Sequence, residues 1–125
     1  MSDADVPVLD ETVLDELRAT TGDDAAFVRE LVETYLADVP DQLSGITDAV
    51  GANDAAALVR PAHTLKSSSA TVGAMRLAAV ARELEMAGRS GALDGSAAAG
   101  AETANAEWRA ASEAFATWLS GGSSR

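Results

Sequence analysis

The stretch FVRELVETYLADVPDQLSGITDAV, residues 27–50, decides the fold. Its apolar residues are Phe27, Val28, Leu31, Val32, Tyr35, Leu36, Val39, Leu43, Ile46 and Val50. They recur in steps of three and four, which draws one stripe along a helix. Counted from Asp24, that helix spans roughly 40 Å at about 1.5 Å per residue. Pro40 falls inside it, but the stripe resumes beyond, so the proline predicts a kink and not a break.

Working outward, VPVLDETVLDELRATTG reads as a short first helix. Asp10 suits the N-cap, Leu9 and Leu14 suit a hydrophobic staple, and Gly22 closes the segment. Downstream, Gly51-Ala52-Asn53 reads as a turn, and Asn53 or Asp54 as the cap of a third helix. That helix carries Leu58, Ala62, Leu65, Ser69 and Val72 on one side, and Gly73 follows where a left-handed C-terminal residue would sit. A fourth helix presents Leu77, Val80, Ala81 and Leu84, with Gly88 and Gly91 read as its end. After the small-residue connection SGALDGSAAAG, a last helix presents Ala101, Ala104, Trp108, Ala111, Phe115 and Trp118, and SGGSSR reads as a frayed tail. The tryptophans and Tyr35 read as core, with the Tyr35 hydroxyl able to reach the rim. The predicted helices run over about 10–19, 24–50, 54–72, 74–87 and 96–119. Nothing reads as a strand or a repeat. The expected fold is all-α: one domain over residues 1–125, an antiparallel four-helix bundle with a short extra N-terminal helix at one end.

Composition narrows the function. The 20 acidic residues outnumber nine basic ones, for a net charge of −11. Such a field repels the phosphates of nucleic acid and anionic lipid surfaces, and the eight arginines are scattered, so neither partner is expected. Cysteine is absent, which removes disulfides, thiol catalysis and thiolate metal sites. No apolar run reaches the about 20 residues of a membrane span, and the acidic N-terminus lacks the basic start of a signal peptide. A cytoplasmic monomer is the expectation. The acidic runs DADVPVLDE and GDD read as solvated and capping residues. No glycine-rich phosphate loop and no carboxylate or histidine cluster suggests a nucleotide or a metal of the chain's own.

The only histidine, His63, and the only lysine, Lys66, stand three residues apart on the third helix. With Leu65 placed toward the core, His63 falls about 160° away, exposed in mid-helix. Arg60, Lys66 and Ser67 flank it within one turn. A neutral exposed imidazole is a nucleophile, and a phosphoryl group on it would bring close to two negative charges into an acidic protein. Lys66 and Arg60 offer local cover. A lone surface histidine is more commonly inert, so spacing alone leaves both readings open. Pro61 costs about 3 kcal/mol in a regular helix interior. It marks either a kink that shapes a site or a harmless irregularity.

The segment AHTLKSSSATVGA resembles the signature of histidine-containing phosphotransfer (HPt) domains: alanine, histidine, any residue, leucine, lysine, glycine, and a second glycine six residues on. Ala62, His63, Leu65, Lys66 and Gly73 match it. The resemblance extends from Phe27 to about Gly91, including the acidic-Val-Pro step of the long helix and the Leu-Glu pair late in the fourth. Ser67 departs from it, standing where the family has glycine. The resemblance implies a four-helix bundle whose histidine takes a phosphoryl group from a receiver-domain aspartyl phosphate and passes it to another receiver. It implies no kinase activity, no nucleotide and no cofactor of the chain's own, with Mg²⁺ supplied by the receiver. Carried over, His63 is the phosphoacceptor at Nε2, and Lys66 stabilises the phosphoryl charge. The receiver docks over the middle of the second and third helices, on a surface that includes Val59, Arg60, Ser67 and Ala70. Three other readings remain open at this point. One is a receiver-binding adaptor with an idle His63. Another is an HPt domain excised from a hybrid histidine kinase, against which the starting methionine and the GGSSR tail weigh. The third is hydrolysis at His63, which would need an orienting carboxylate that the cationic, small flanks of the histidine lack.

Overall fold

A computed structural model describes residues 6–121. Five helices follow one another: α1 Glu11–Thr20, α2 Ala25–Gly51, α3 Ala55–Val72, α4 Met75–Arg89 and α5 Gly95–Leu119. Among the described residues there is no strand, and no helix is long and apolar enough to cross a membrane. The first part of the acidic N-terminal run and residues 122–125 of the expected tail lie outside the described residues.

Aspartates start four of the five helices. The side chains of Asp10, Asp24, Asp54 and Asp94 accept from the backbone N–H of Thr12, Phe27, Ala57 and Ser96. Each satisfies an amide the helix leaves unpaired and places negative charge at the positive end of the dipole. Part of the chain's acidity is therefore spent on capping. Asp54, not Asn53, caps α3; Asn53 instead takes a left-handed φ of 52° in the turn before it.

Neighbouring helices pack in the order α2, α3, α4, α5 and back to α2, so the four long helices close a bundle, with α1 against α2 and α3. The core holds Val28, Val32, Tyr35, Val39, Leu43 and Ile46 from α2, and Leu58, Ala62, Leu65 and Val72 from α3. Leu77, Ala81 and Leu84 enter from α4, and Ala101, Ala104, Ala111 and Phe115 from α5. Leu9 and Leu14 are both buried in the same core, under α1. Trp108 and Trp118 pack half-buried at its edge. The Tyr35 ring meets Phe115 and Trp108 edge-on, with centroids 5.6 and 5.9 Å away.

Several expectations change on contact with the structure. Of the two residues expected to begin the stripe, Val28 is buried and Phe27 is 45% exposed. At the other end Ala49 is buried where Val50 was expected. Val80 is half-buried at the core edge. Gly88 does not end α4 but lies inside it, and a Cβ there would come 2.9 Å from both Ala55 O and Val59 Cγ2. The missing side chain lets α4 lie close against α3 there; Gly91, with φ 83°, follows the helix end. The helix α5 begins at Gly95, within one residue of the expected start.

Pro40 and Pro61 both sit within continuous helices. Pro61 is accommodated by a missing side chain opposite: a Cβ on Gly45 of α2 would lie 3.2 Å from Pro61 Cβ. The ring that costs α3 a hydrogen bond thus fills the α2–α3 seam. Gly73 closes α3 with φ 88°, and its carbonyl accepts from the Asp10 N–H at 2.8 Å. A Cβ at Gly73 would stand 2.6 Å from Asp10 O, so glycine is required both by conformation and by space.

Candidate functional site

The core stripe of α3 turns His63 outward. Leu58, Ala62, Leu65, Ser69 and Val72 are all buried, and the His63 side chain is 52% exposed. Facing it from α4 is Glu85, whose side chain is only 7% exposed. Three groups converge on that one carboxylate. His63 Nδ1 lies 3.0 Å from Oε2, and Lys66 Nζ lies 2.7 Å from Oε1. Arg89, one turn along α4, donates from Nε at 2.9 Å to Oε2, and its Nη2 ion-pairs with the same oxygen at 2.7 Å.

Lys66 and then Arg89 hold the Glu85 carboxyl down to about 2, with His63 adding to the effect against the opposing cost of burial. The carboxylate is therefore ionised at neutral pH and can only accept hydrogen bonds. Nδ1 of His63 must carry the proton and donate. In the neutral imidazole this leaves the lone pair on Nε2, the nitrogen away from the carboxylate. The contact fixes tautomer and ring orientation together. It also stations a negative charge where positive charge would grow if Nε2 formed a bond.

The other expected site residues distribute around this centre. Lys66 is half-buried and ion-paired with Glu85. Arg60, Ser67 and Ala70 are exposed on the His63 side of α3. Val59 is half-buried and turned toward Gly88 of α4, so much of its surface is used in the helix contact. The Tyr35 hydroxyl does not reach the rim: it shares a buried 2.8 Å hydrogen bond with Ser69 Oγ. Burial pushes that phenol up to about 12, against a smaller opposite effect of the Ser69 bond. Between α2 and α3, beside the histidine, runs a shallow groove lined by Gln42, Gly45, Ala57, Arg60, Pro61 and Thr64. Among the described residues no cluster of three or more His, Cys, Asp or Glu could hold a metal ion.

Sequence reasoning had found no carboxylate to orient His63, and it assigned no role to Glu85 or Arg89. A signal was present. With Leu77 at zero, Glu85 falls about 80° round α4, between Ala81 and Ala78 and at the border of the buried stripe. A glutamate flanked by small buried residues on that border needs a partner from another helix.

The family model of the Hpt domain matches residues 30–118. Among solved structures, the crystal structure of histidine-containing phosphotransfer protein B (HptB) from Pseudomonas aeruginosa PAO1 is similar at 32% identity and a TM-score of 0.81. That match covers 91% of this chain and 96% of the other. No curated protein sequence matches the chain.

Proposed function

The chain belongs to the Hpt-domain family and has a role in histidine phosphotransfer; from that premise we propose that His63 Nε2 accepts a phosphoryl group from the aspartyl phosphate of a receiver domain and returns it to the aspartate of another receiver. The observation that carries this reading is the contact of His63 Nδ1 with buried Glu85, which leaves Nε2 as the free nucleophile on an exposed face. In the forward step the Nε2 lone pair attacks phosphorus, and the P–O bond to the receiver's aspartate breaks with its electrons left on the carboxylate. No proton has to move. Nδ1 keeps its hydrogen, and Glu85 offsets the positive charge that develops on the ring. Lys66, one turn away, offsets the charge of the incoming phosphoryl group.

Orientation, in-line approach and electrostatics suffice for phosphoryl transfer, because the protein has little covalent work to do in it. The Mg²⁺ that such a transfer uses belongs to the receiver. The docking surface we assign lies over the middle of α2 and α3: the exposed Arg60, Ser67 and Ala70, the outer edge of Val59, and the α2–α3 groove. The protein acts as a monomeric intermediate without kinase activity of its own. Incubation with a phosphorylated receiver and Mg²⁺ tests the assignment. The wild type is expected to gain an acid-labile, base-stable label, and His63→Gln is expected to gain none. Label on the His63→Gln protein, or no label on either, sinks it.

A further inference from the structure

Resting on the reading of His63 as the phosphoacceptor, we propose that the Ser67 hydroxyl donates a hydrogen bond to the phosphoryl group on His63 Nε2 and so sets how long the phosphohistidine survives. Ser67 is exposed and stands one turn after His63 on the same face of α3. Residues four apart on a helix have Cβ atoms about 5–6 Å apart, and helical side chains lean toward the N-terminus. The hydroxyl is thereby aimed back over the imidazole, within reach of a phosphoryl oxygen beyond Nε2.

This hydroxyl is also unspent. Along the same helix Ser68 donates to Leu65 O at 3.4 Å, Thr71 donates to Ser67 O at 2.9 Å, and Ser69 bonds Tyr35. Ser67 Oγ makes no hydrogen bond among the described residues, not even the bond back to the carbonyl one turn earlier that helical serines often make. Thr64, whose hydroxyl is likewise unbonded, is rotated about 100° away from His63, into the α2–α3 groove.

Two of the three cations near His63, Lys66 and Arg89, are already engaged on its other side, and the third, Arg60, precedes it by one turn, so that its side chain leans toward the helix N-terminus and away from the ring. Lys66 Nζ and Arg89 Nη2 each stand 2.7 Å from Glu85, the carboxylate that holds Nδ1. They supply a field, but a directed bond from either would draw it off a buried carboxylate. Ser67 supplies such a bond at no comparable cost. The glycine that the family pattern has at this position has no hydroxyl to offer.

The expected consequence is on hydrolysis. There, water oxygen attacks phosphorus, the Nε2–P bond breaks with its electron pair returning to Nε2, and the water's proton leaves to solvent or to the phosphate formed. In a loose transition state each phosphoryl oxygen carries less charge than in the phosphohistidine itself. A donor on such an oxygen therefore favours the intact phosphohistidine and slows its loss.

Wild type, Ser67→Ala and Ser67→Thr are loaded with potassium phosphoramidate, a small donor that needs no receiver. Mass spectrometry locates the phosphate on His63, and phosphorus NMR follows its decay. Ser67→Ala is expected to shorten the half-life about two- to tenfold, in keeping with one lost hydrogen bond. Ser67→Thr, which keeps the hydroxyl, is expected to stay close to wild type. Equal half-lives for Ser67→Ala and wild type overturn the proposal, and so does a Ser67→Thr half-life as short as that of Ser67→Ala. The loaded proteins are then offered receivers. If His63 phosphate decays as expected but passes to no receiver, the proposed function fails and the role of Ser67 stands. If His63 takes no phosphate at all, both fail.

Discussion

On its inner face α3 uses Ser69 to hold Tyr35 of α2; on the face toward α4 it uses His63 and Lys66 to hold Glu85. In both places a buried polar group on a neighbouring helix is satisfied by α3. The first pair is neutral, closed and one hydrogen bond deep, with aromatic rings packed around the phenol. The second is charged, shared by three donors and open to solvent on the side of the ring. A neutral pair sealed in the core can only set the register of two helices. A charged cluster with one exposed edge can also take part in chemistry. The same helix carries a structural pair on one side and the proposed phosphoacceptor on the other.

The sharpest way to separate the two sides is His63→Gln. Phosphotransfer from a phosphorylated receiver is expected to vanish. Stability should move by no more than about 0.5 kcal/mol, because the ring is half exposed and glutamine is at home in a helix. A large loss of stability in a denaturant melt would mean that the ring matters as much to the fold as to the site. Lys66→Ala comes next. Single-turnover transfer should slow roughly ten- to hundredfold, while receiver affinity changes less, since the ammonium acts beside the imidazole and not on the docking surface. An unchanged rate with weakened binding alone would reassign Lys66 to docking.

Tyr35→Phe breaks the other side. It leaves Ser69 Oγ buried without its partner and should cost about 1 to 3 kcal/mol in urea unfolding, with transfer per folded molecule unchanged. Adding Ser69→Ala should recover part of that loss, because no orphaned hydroxyl then remains. The smallest effects lie at the two ends of the pH scale. The Glu85 carboxyl falls from 4.5 to about 2 on folding, so the stability it contributes is present above about pH 4.5 and is lost as pH falls toward 2. Glu85→Gln should lack that part of the acid limb. The Tyr35 phenol rises from 10.0 to about 12, so its contribution is present below pH 10 and is lost as pH climbs through 12. Tyr35→Phe should flatten the alkaline limb. Paired pH titrations of stability check both, and a limb that survives its own substitution assigns it to some other group.

On the neutral side the stripe was legible but not the Tyr35–Ser69 bond, since the phenol was expected to reach the rim, and the charged side was legible only in part. Leu58, Ala62, Leu65, Ser69 and Val72 fall on one stripe, and a stripe fixes the opposite face, so the exposure of His63 followed from periodicity alone. Gly73 was readable because a left-handed terminus has a narrow choice of residues. Glu85 and Arg89 belong to another helix, and periodicity within one helix carries no information on which turn of the next one faces it. Gly88 misled for the same reason: a glycine near a helix end looks like a stop until the neighbouring backbone is seen to need its space. Phe27 and Val50 mark the ends of the α2 stripe, where Phe27 is exposed beside buried Val28 and Val50 is only half-buried beside buried Ala49.

The short α3–α4 connection has a consequence for the order in which the molecule assembles. Between Val72 and Met75 the chain reverses through Gly73 and Ala74 alone. His63, Lys66, Glu85 and Arg89 all lie on the two arms of that one hairpin. The entropy of bringing chain ends together rises with the length of the loop, so contacts across a tight reversal form at low cost and early. The imidazole and its carboxylate therefore meet as soon as α3 and α4 zip, without waiting for α5 to dock. In hydrogen exchange α3 and α4 should open as one unit, and His63 should keep its geometry through any excursion in which α5 alone comes away.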